Sequence, residues 1–224
     1  MSKRRKVIRV LLADDHPAMR AGIRAILEKA PDIEVVGETG EATEAQQMTA
    51  GLRPQVLLLD LRMPGPPPAE TVAWVRAHSP ETAVLALTAH DLNAYLARMV
   101  AAGAAGFVVK EEAPEKIVEA VRRAARGEVL FCEEQLARAR HWQEEVGKRW
   151  QSLTEREQEV LRLLAIGSDN AAIAEALSVT AKTIGYHVTN VLSKLNVTSR
   201  LEAAVWIRDH WPDGLPDDLG KFPG

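Results

Sequence analysis

Val56-Leu57-Leu58-Leu59-Asp60 is an unbroken apolar run closed by a carboxylate. A run so short and continuous suits a strand buried on both faces, the kind found in parallel sheets covered by helices on either side. Working outward, Val7 to Ala13, Ile33 to Gly37, Ala83 to Thr88 and Gly106 to Val109 read as further strands. Helical period fills the gaps between them. Ile23, Ile26 and Leu27 give an i, i+3, i+4 face, and Ile117, Val118 and Val121 give another near the end. The alternation from Val7 to Gly127 predicts an α/β fold of five β/α units in a doubly wound parallel sheet, for which strand order 2-1-3-4-5 is the expected arrangement.

Past Gly127 the pattern changes. Leu136, Ala139, Trp142, Val146 and Trp150 recur at helical spacing through a charged segment, predicting an amphipathic linker helix over Glu133 to Arg149. Its stripe either packs on a neighbouring domain or forms a short dimerising coil. From Leu153 there are four helical segments and no strand. Thr154 with Glu157, and Ser199 with Glu202, have the spacing of capping boxes. Asn170 to Leu177 and Thr180 to Leu195, joined at Ser178-Val179, suggest a helix-turn-helix. The expected organisation is an α/β domain over 1–127, a linker over 128–151, an all-α four-helix domain over 152–211, and a flexible tail over 212–224 rich in Pro, Gly and Asp.

Composition agrees with two domains, since 224 residues with 46% hydrophobic content bury a sizeable core. With 28 Lys plus Arg against 31 Asp plus Glu, the formal charge of -3 argues against polyanion binding through bulk charge, so any nucleic-acid contact is local. Cys132 is the single cysteine, which excludes an internal disulfide framework and a thiolate metal cluster and fits a reducing cytosol. The basic start Met1 to Lys6 leads into a short apolar run ending in two aspartates, a strand rather than a signal peptide. No apolar stretch reaches the roughly 18 residues of a membrane span, so a cytoplasmic protein without membrane partners is expected.

In an open parallel sheet, ligands bind beyond the carboxyl ends of the strands, where the topology reverses. Asp14 and Asp15, Asp60, Thr88 and Lys110 all fall there. If the strand order is 2-1-3-4-5, the first and third strands are neighbours, and Asp14 and Asp15 come beside Asp60. Carboxylates so close repel one another. A hard divalent cation with oxygen ligands relieves the repulsion and bridges a phosphoryl group, making Mg2+ the expected cofactor. Phosphoryl transfer needs mainly positioning and neutralisation of oxygens. Asp60 is the candidate nucleophile forming an acyl phosphate, with Lys110 and the Thr88 hydroxyl each on an oxygen. Singly, an aspartate or threonine ending a strand is more often a turn former or cap. Five such residues at the ends of four strands point to one site.

Leu11-Leu12-Ala13-Asp14-Asp15-His16-Pro17, Leu59-Asp60-Leu61-Arg62-Met63-Pro64, Leu87-Thr88-Ala89 and Gly103-Ala104-Ala105-Gly106-Phe107-Val108-Val109-Lys110 together resemble the receiver domain of two-component response regulators, which has a flavodoxin-like fold. The resemblance implies that Asp60 accepts phosphate from a sensor histidine kinase. It also implies that Asp14, Asp15, Asp60 and the Arg62 backbone carbonyl hold Mg2+. Thr88, drawn toward the phosphoryl group, leaves room for an aromatic ring on the last strand to turn in, and Phe107 matches that place. Arg62 and His90 flank the cleft by the family pattern. Pro66, Pro67 and Pro68 depart from it, and a stiffer loop beside the acceptor is expected.

Leu153-Thr154-Glu155-Arg156-Glu157-Gln158-Glu159-Val160-Leu161, continuing through Ile173-Ala174, Leu177-Ser178-Val179-Thr180, Thr183-Ile184, His187-Val188 and Leu195, resembles the LuxR-type DNA-binding domain. With a receiver ahead of it, the chain is similar to the NarL/FixJ group. Thr180 then caps a recognition helix whose first turns carry Lys182, Thr183, Tyr186, His187, Thr189 and Asn190, and whose amino end enters the major groove of double-stranded DNA. Lys182 is a candidate for base or phosphate, Asn190 for a base edge and Lys194 for phosphate. A homodimer is expected on phosphorylation. The electrostatic footprint is thin: Arg156, Arg162, Lys182, Lys194, Arg200 and Arg208 face seven acidic residues between Gln151 and Trp211. Gly185, Thr189, Ala171 and Ala172 stand where relatives often carry basic groups. The five tryptophans do not alternate with basic residues and read as packing rather than base stacking.

The reading is therefore of a phosphorylation-dependent transcription regulator, not an enzyme. Its alternative is a regulator with weak or lost DNA binding that acts through protein partners. A phosphohydrolase of the haloacid dehalogenase kind is disfavoured, because its nucleophile lies at the first strand in an Asp-x-Asp pattern and no general acid is placed here. The complete acidic set also speaks against a regulator that works without phosphate.

Overall fold

The computed structural model describes residues 7–88, 93–110 and 113–210. The basic start Met1 to Lys6, His90 and the tail from Pro212 lie outside the described residues. The chain divides into two compact units, Met1–Ala139 and Arg140–Gly224, with the division inside the linker helix.

The first unit alternates β1 (Ile8–Ala13), α1 (Pro17–Glu28), β2 (Ile33–Thr39), α2 (Ala42–Leu52), β3 (Val56–Asp60), α3 (Pro68–His78), β4 (Ala83–Thr88), α4 (Asn93–Ala102), β5 (Gly106–Val109) and α5 (Pro114–Ala124). Among the described residues the strands form one parallel sheet in the order β2-β1-β3-β4-β5. β3 is buried along its whole length. Val56 and Leu58 share a core with Val10, Leu12, Leu85 and Leu87, closed by Ile23 and Leu27 of α1 and by Ile117 and Val121 of α5. Leu57 and Leu59 alternate with them and are equally buried, toward the layer where α2, α3 and α4 lie side by side.

β2 runs two residues beyond the Gly37 end that its apolar pattern predicts. A register shift between Val10 and Leu11 pairs Leu11, Leu12 and Ala13 with Gly37, Glu38 and Thr39, so polar residues continue the strand. A Cβ on Gly37 would lie 2.5 Å from Met48 Cε and 3.1 Å from Leu11 Cδ1, so any larger residue would require the Met48 side chain to swing aside where α2 approaches the sheet. The prolines after Asp60 start a helix. Pro67 is the N-cap of α3 and Pro68 its first residue, where a missing N–H costs no hydrogen bond. Gly65 turns the loop with φ +108°, and the Pro64 carbonyl accepts from Ala42 N–H at 2.9 Å, tying the loop to α2.

The linker contains α6 (Glu133–Trp142), a π-helical turn (Gln143–Gly147) and α7 (Lys148–Gln151). This corrects the single α-helix expected from spacing. A wider turn inserted in a helix keeps apolar spacing on either side of it, so periodicity does not reveal it. Ala139, Trp142, Val146 and Trp150 are buried and Leu136 is half-buried.

The second unit continues with α8 (Glu155–Ala165), α9 (Asn170–Ala176), α10 (Ala181–Leu195) and α11 (Arg200–His210). Val160, Leu161, Leu164, Ile173, Ile184, Val191, Leu195 and Trp206 are buried in it. The Thr154 hydroxyl accepts from Glu157 N–H at 3.3 Å, and the Glu157 carboxylate accepts from Thr154 N–H at 2.8 Å, completing the expected capping box. Thr154→Ala is expected to lower the stability of this unit by about 1 kcal/mol. A urea midpoint that does not move would show the cap to be idle. The second box is wider than expected. Ser199 Oγ accepts from Glu202 N–H at 3.1 Å, but the Glu202 carboxylate reaches back one residue further, to Thr198 N–H at 2.7 Å and Thr198 Oγ1 at 2.9 Å. No helix among the described residues is long and apolar enough to cross a membrane.

Candidate functional site

β1 and β3 are neighbours with Ala13 opposite Leu59, so the residues that follow, Asp14 and Asp60, finish side by side at the carboxyl edge of the sheet. β4 and β5 pair Thr88 with Val109, and Lys110 N–H donates to the Thr88 carbonyl at 2.7 Å, which brings the last two candidates to the same edge. Lys110 Nζ lies 2.7 Å from Asp14 Oδ2 and 2.9 Å from Asp60 Oδ2, and all three side chains are buried. Burial pushes the Asp60 carboxyl above its ordinary value. The hydrogen bond and charge of Lys110 and the Arg62 backbone N–H pull down, the Asp14 charge pushes up, and the net direction is upward. Burial works against the Lys110 ammonium too, but Asp14 and Asp60 outweigh it and hold the amine above the ordinary lysine value.

Asp15 is half-buried, with Oδ1 2.6 Å from His16 Nδ1. His16 N–H donates to Asp14 Oδ1 at 2.9 Å. One potential ligand atom from each of Asp14, Asp15, His16 and Asp60 lies within 4.8 Å of the others. His16 was not singled out from sequence, although its place directly after Asp15 was a signal. Arg20 donates to the Asp14 main-chain carbonyl and lies 3.6 Å from Glu38, anchoring the turn after β1 to the end of β2. Thr88 and Phe107 are both buried, on adjacent strands, and Arg62 is exposed.

In the second unit Thr180 caps α10, accepting from Thr183 N–H at 3.1 Å, with the two hydroxyls 2.9 Å apart. Lys182, Thr183 and Tyr186 are exposed on its first turns, while His187 and Asn190 are half-buried. Lys194 Nζ sits 2.6 Å from the Glu157 carboxylate, which is itself buried. Burial would raise that carboxyl, but Lys194 and Thr154 together hold it below the ordinary glutamate value. The partner that α8 gives Lys194 was not legible from the helical pattern. Trp142, Trp150 and Trp206 are buried, and Trp74 is half-buried and stacked on His78 with ring centroids 4.2 Å apart.

Residues 10–122 match the family model for the response regulator receiver domain, and residues 151–207 that for bacterial regulatory proteins of the luxR family. The response regulator protein VraR of Staphylococcus aureus is 36% identical over 203 residues, spanning 91% of this chain and 97% of that protein. This chain belongs to the two-component response regulators. Its receiver and LuxR-type module make it a response regulator of the NarL/FixJ kind. Among solved structures, the signal receiver domain of NarL from Mycobacterium tuberculosis is 38% identical with a TM-score of 0.53, covering 55% of this response regulator and 98% of that chain. RcsB from Salmonella enterica serovar Typhimurium, bound to promoter P1flhDC in the presence of the phosphomimetic BeF3-, is 28% identical with a TM-score of 0.55, over 89% of this chain and 98% of that one.

Proposed function

We propose that this response regulator is a transcription regulator switched by phosphorylation of Asp60, and that the Lys110 ammonium shared by Asp14 and Asp60 is the observation that carries the reading. A cation buried between two carboxylates, with a third alongside, is a pocket already arranged for a phosphoryl group and its counter-charge. The Asp60 carboxylate oxygen attacks phosphorus, forming an acyl phosphate as the bond to the histidine nitrogen of the sensor kinase breaks. Lys110 leaves its carboxylate partners for a phosphoryl oxygen, and the Thr88 hydroxyl donates to another. The donor set of Asp14, Asp15 and Asp60 fits a hard divalent cation, and these with the Arg62 carbonyl would hold Mg2+. When bound, Mg2+ supplies positive charge against the phosphoryl oxygens.

Thr88 drawn inward vacates space that the Phe107 ring takes, and the change in packing alters the receiver surface. The working parts are a receiver over 1–127, a linker over 128–151 and a DNA-binding module over 152–211, in a cytoplasmic protein. Phosphorylated receivers pair, and pairing turns the second DNA contact into an intramolecular one, which offsets a thin basic footprint. α10 enters the major groove, with Lys182, Thr183, Tyr186, His187 and Asn190 as its contact set and Lys194 at the far end. The RcsB promoter complex supports this reading. Lys194 is also tied to Glu157, so its contact with phosphate requires that ion pair to be shared.

The test of the whole is labelling by acetyl phosphate with Mg2+, joined to selection of bound DNA from a random pool, in wild type and Asp60→Asn. If the module binds no DNA in either state, the alternative of a regulator acting through protein partners takes over. Lys182→Ala is expected to weaken binding to all sequences alike and to reduce the slope of log affinity against log salt by about 1, as loss of one phosphate contact requires. An unchanged slope with altered sequence preference would assign Lys182 to a base instead.

A further inference from the structure

The carboxylates at the carboxyl edge of the sheet have an imidazole standing among them. We propose that His16 is an additional ligand of the cation pocket and makes it prefer a borderline ion such as Ni2+ over Mg2+. This rests on the cation site of the proposed function and adds a selectivity to it. His16 is the N-cap of α1, with φ -88° and ψ 107°, yet its side chain makes no capping hydrogen bond. Its backbone is held from both sides, because its N–H is committed to Asp14 Oδ1 at 2.9 Å and Pro17 follows it at the start of the helix. The ring is therefore placed by a fixed main chain and free of helix duty. Nδ1 points at the acidic groups, 2.6 Å from Asp15 Oδ1 and 3.7 Å from Asp14 Oδ1.

Distances decide whether one ion can use all four groups. Ligand atoms about 2.1 Å from a metal lie at most about 4.2 Å apart. The four atoms here fall within 4.8 Å, so the widest pair closes by about half an ångström, while His16 Nδ1 and Asp15 Oδ1, 2.6 Å apart as a hydrogen-bonded pair, open slightly to bind side by side. The ring is the part best able to supply this movement, because the His16 side chain is 68% exposed while Asp14 and Asp60 are fixed in the interior. An all-oxygen pocket suits Mg2+. An imidazole nitrogen adds little for that ion and much for Ni2+, Cu2+ or Zn2+, whose affinities for nitrogen donors are far higher. A borderline ion at low concentration then displaces Mg2+ from the pocket.

The experiment is calorimetric titration of full-length protein with Ni2+, with and without excess Mg2+, and with Mg2+ alone, for wild type, His16→Ala and Asp15→Asn. Other histidines also take up Ni2+, so the pocket is read as the component that Mg2+ suppresses and Asp15→Asn removes. In His16→Ala the ratio of Ni2+ to Mg2+ affinity for that component is expected to fall on the order of tenfold or more. An unchanged ratio overturns the role of His16 while leaving the Mg2+ site standing. Absence of any Mg2+ binding by wild type overturns the cation site itself, and the inference with it.

Discussion

Asp60→Asn protein incubated with acetyl phosphate and Mg2+ is expected to take up no phosphoryl group, under conditions where wild type gains one per chain by mass spectrometry. The substitution keeps the shape of the side chain and its place at the end of β3, and removes only the anionic oxygen proposed to attack phosphorus. Nothing nearby takes over the role without rearrangement. Asp14 is wholly buried and held by Lys110, Arg20 secures its main chain, and Asp15 is engaged by His16. The effect is thus all-or-none rather than a fractional slowing. Label that persists in Asp60→Asn and maps to Asp14 or Asp15 would mean that the acceptor has been misassigned.

The same pair of proteins separates chemistry from signalling. Phosphorylation is expected to raise recovery of DNA from a random pool for wild type and to leave Asp60→Asn where it started. Complete loss of label with unchanged DNA recovery would break the coupling between the two units while leaving the phosphorylation chemistry intact. The coupling therefore has its own point of failure, independent of Mg2+ and of the identity of the kinase.

Much of this was legible because parallel strands declare themselves. Val56 to Leu59 and Ala83 to Leu87 are apolar throughout, since both faces are covered, and the residue that breaks each run marks the carboxyl edge where a site assembles. The apolar runs do not themselves fix the strand order, but the expected order is the observed one, and it brings Asp14 beside Asp60. What escaped was set by tertiary contacts that leave no period in the chain. The extra length of β2 depends on a register shift that recruits Glu38 and Thr39, residues with no apolar signature. Thr39 is buried because its hydroxyl finds Glu44 and the Glu41 N–H. Glu157 is legible as half of a capping box, but not as the buried partner of Lys194, 37 residues away. The π-helical turn at Gln143–Gly147 keeps the apolar stripe on both of its flanks and so hides within an ordinary helical pattern.

Lys110→Met is expected to destabilise the first unit by about 3–5 kcal/mol at neutral pH in the absence of Mg2+, a large part of the roughly 5–15 kcal/mol that holds a domain folded. Lys110 bridges two buried carboxylates, and a methionine fills its space without its charge. Asp60 already has its carboxyl raised by burial against the pull of Lys110, so removing Lys110 leaves burial and the Asp14 charge to raise it further. A carboxyl with a raised folded value binds its proton more tightly in the native state than in the unfolded chain. Between the ordinary carboxyl value near about 4 and the raised one, the unfolded state holds fewer protons, so stability falls as pH rises. Lys110→Met should therefore be nearest to wild type in mild acid and lose ground toward neutrality, a trend that hydrogen exchange of the β3 amides reads directly for this unit. Mg2+ should restore part of the loss by replacing the missing charge, with about 2.7 kcal/mol recovered at one hundred times its dissociation constant. A Lys110→Met protein as stable as wild type at neutral pH without Mg2+ would show that the two carboxylates separate or hydrate when the lysine is gone, and that the pocket is not held under electrostatic tension.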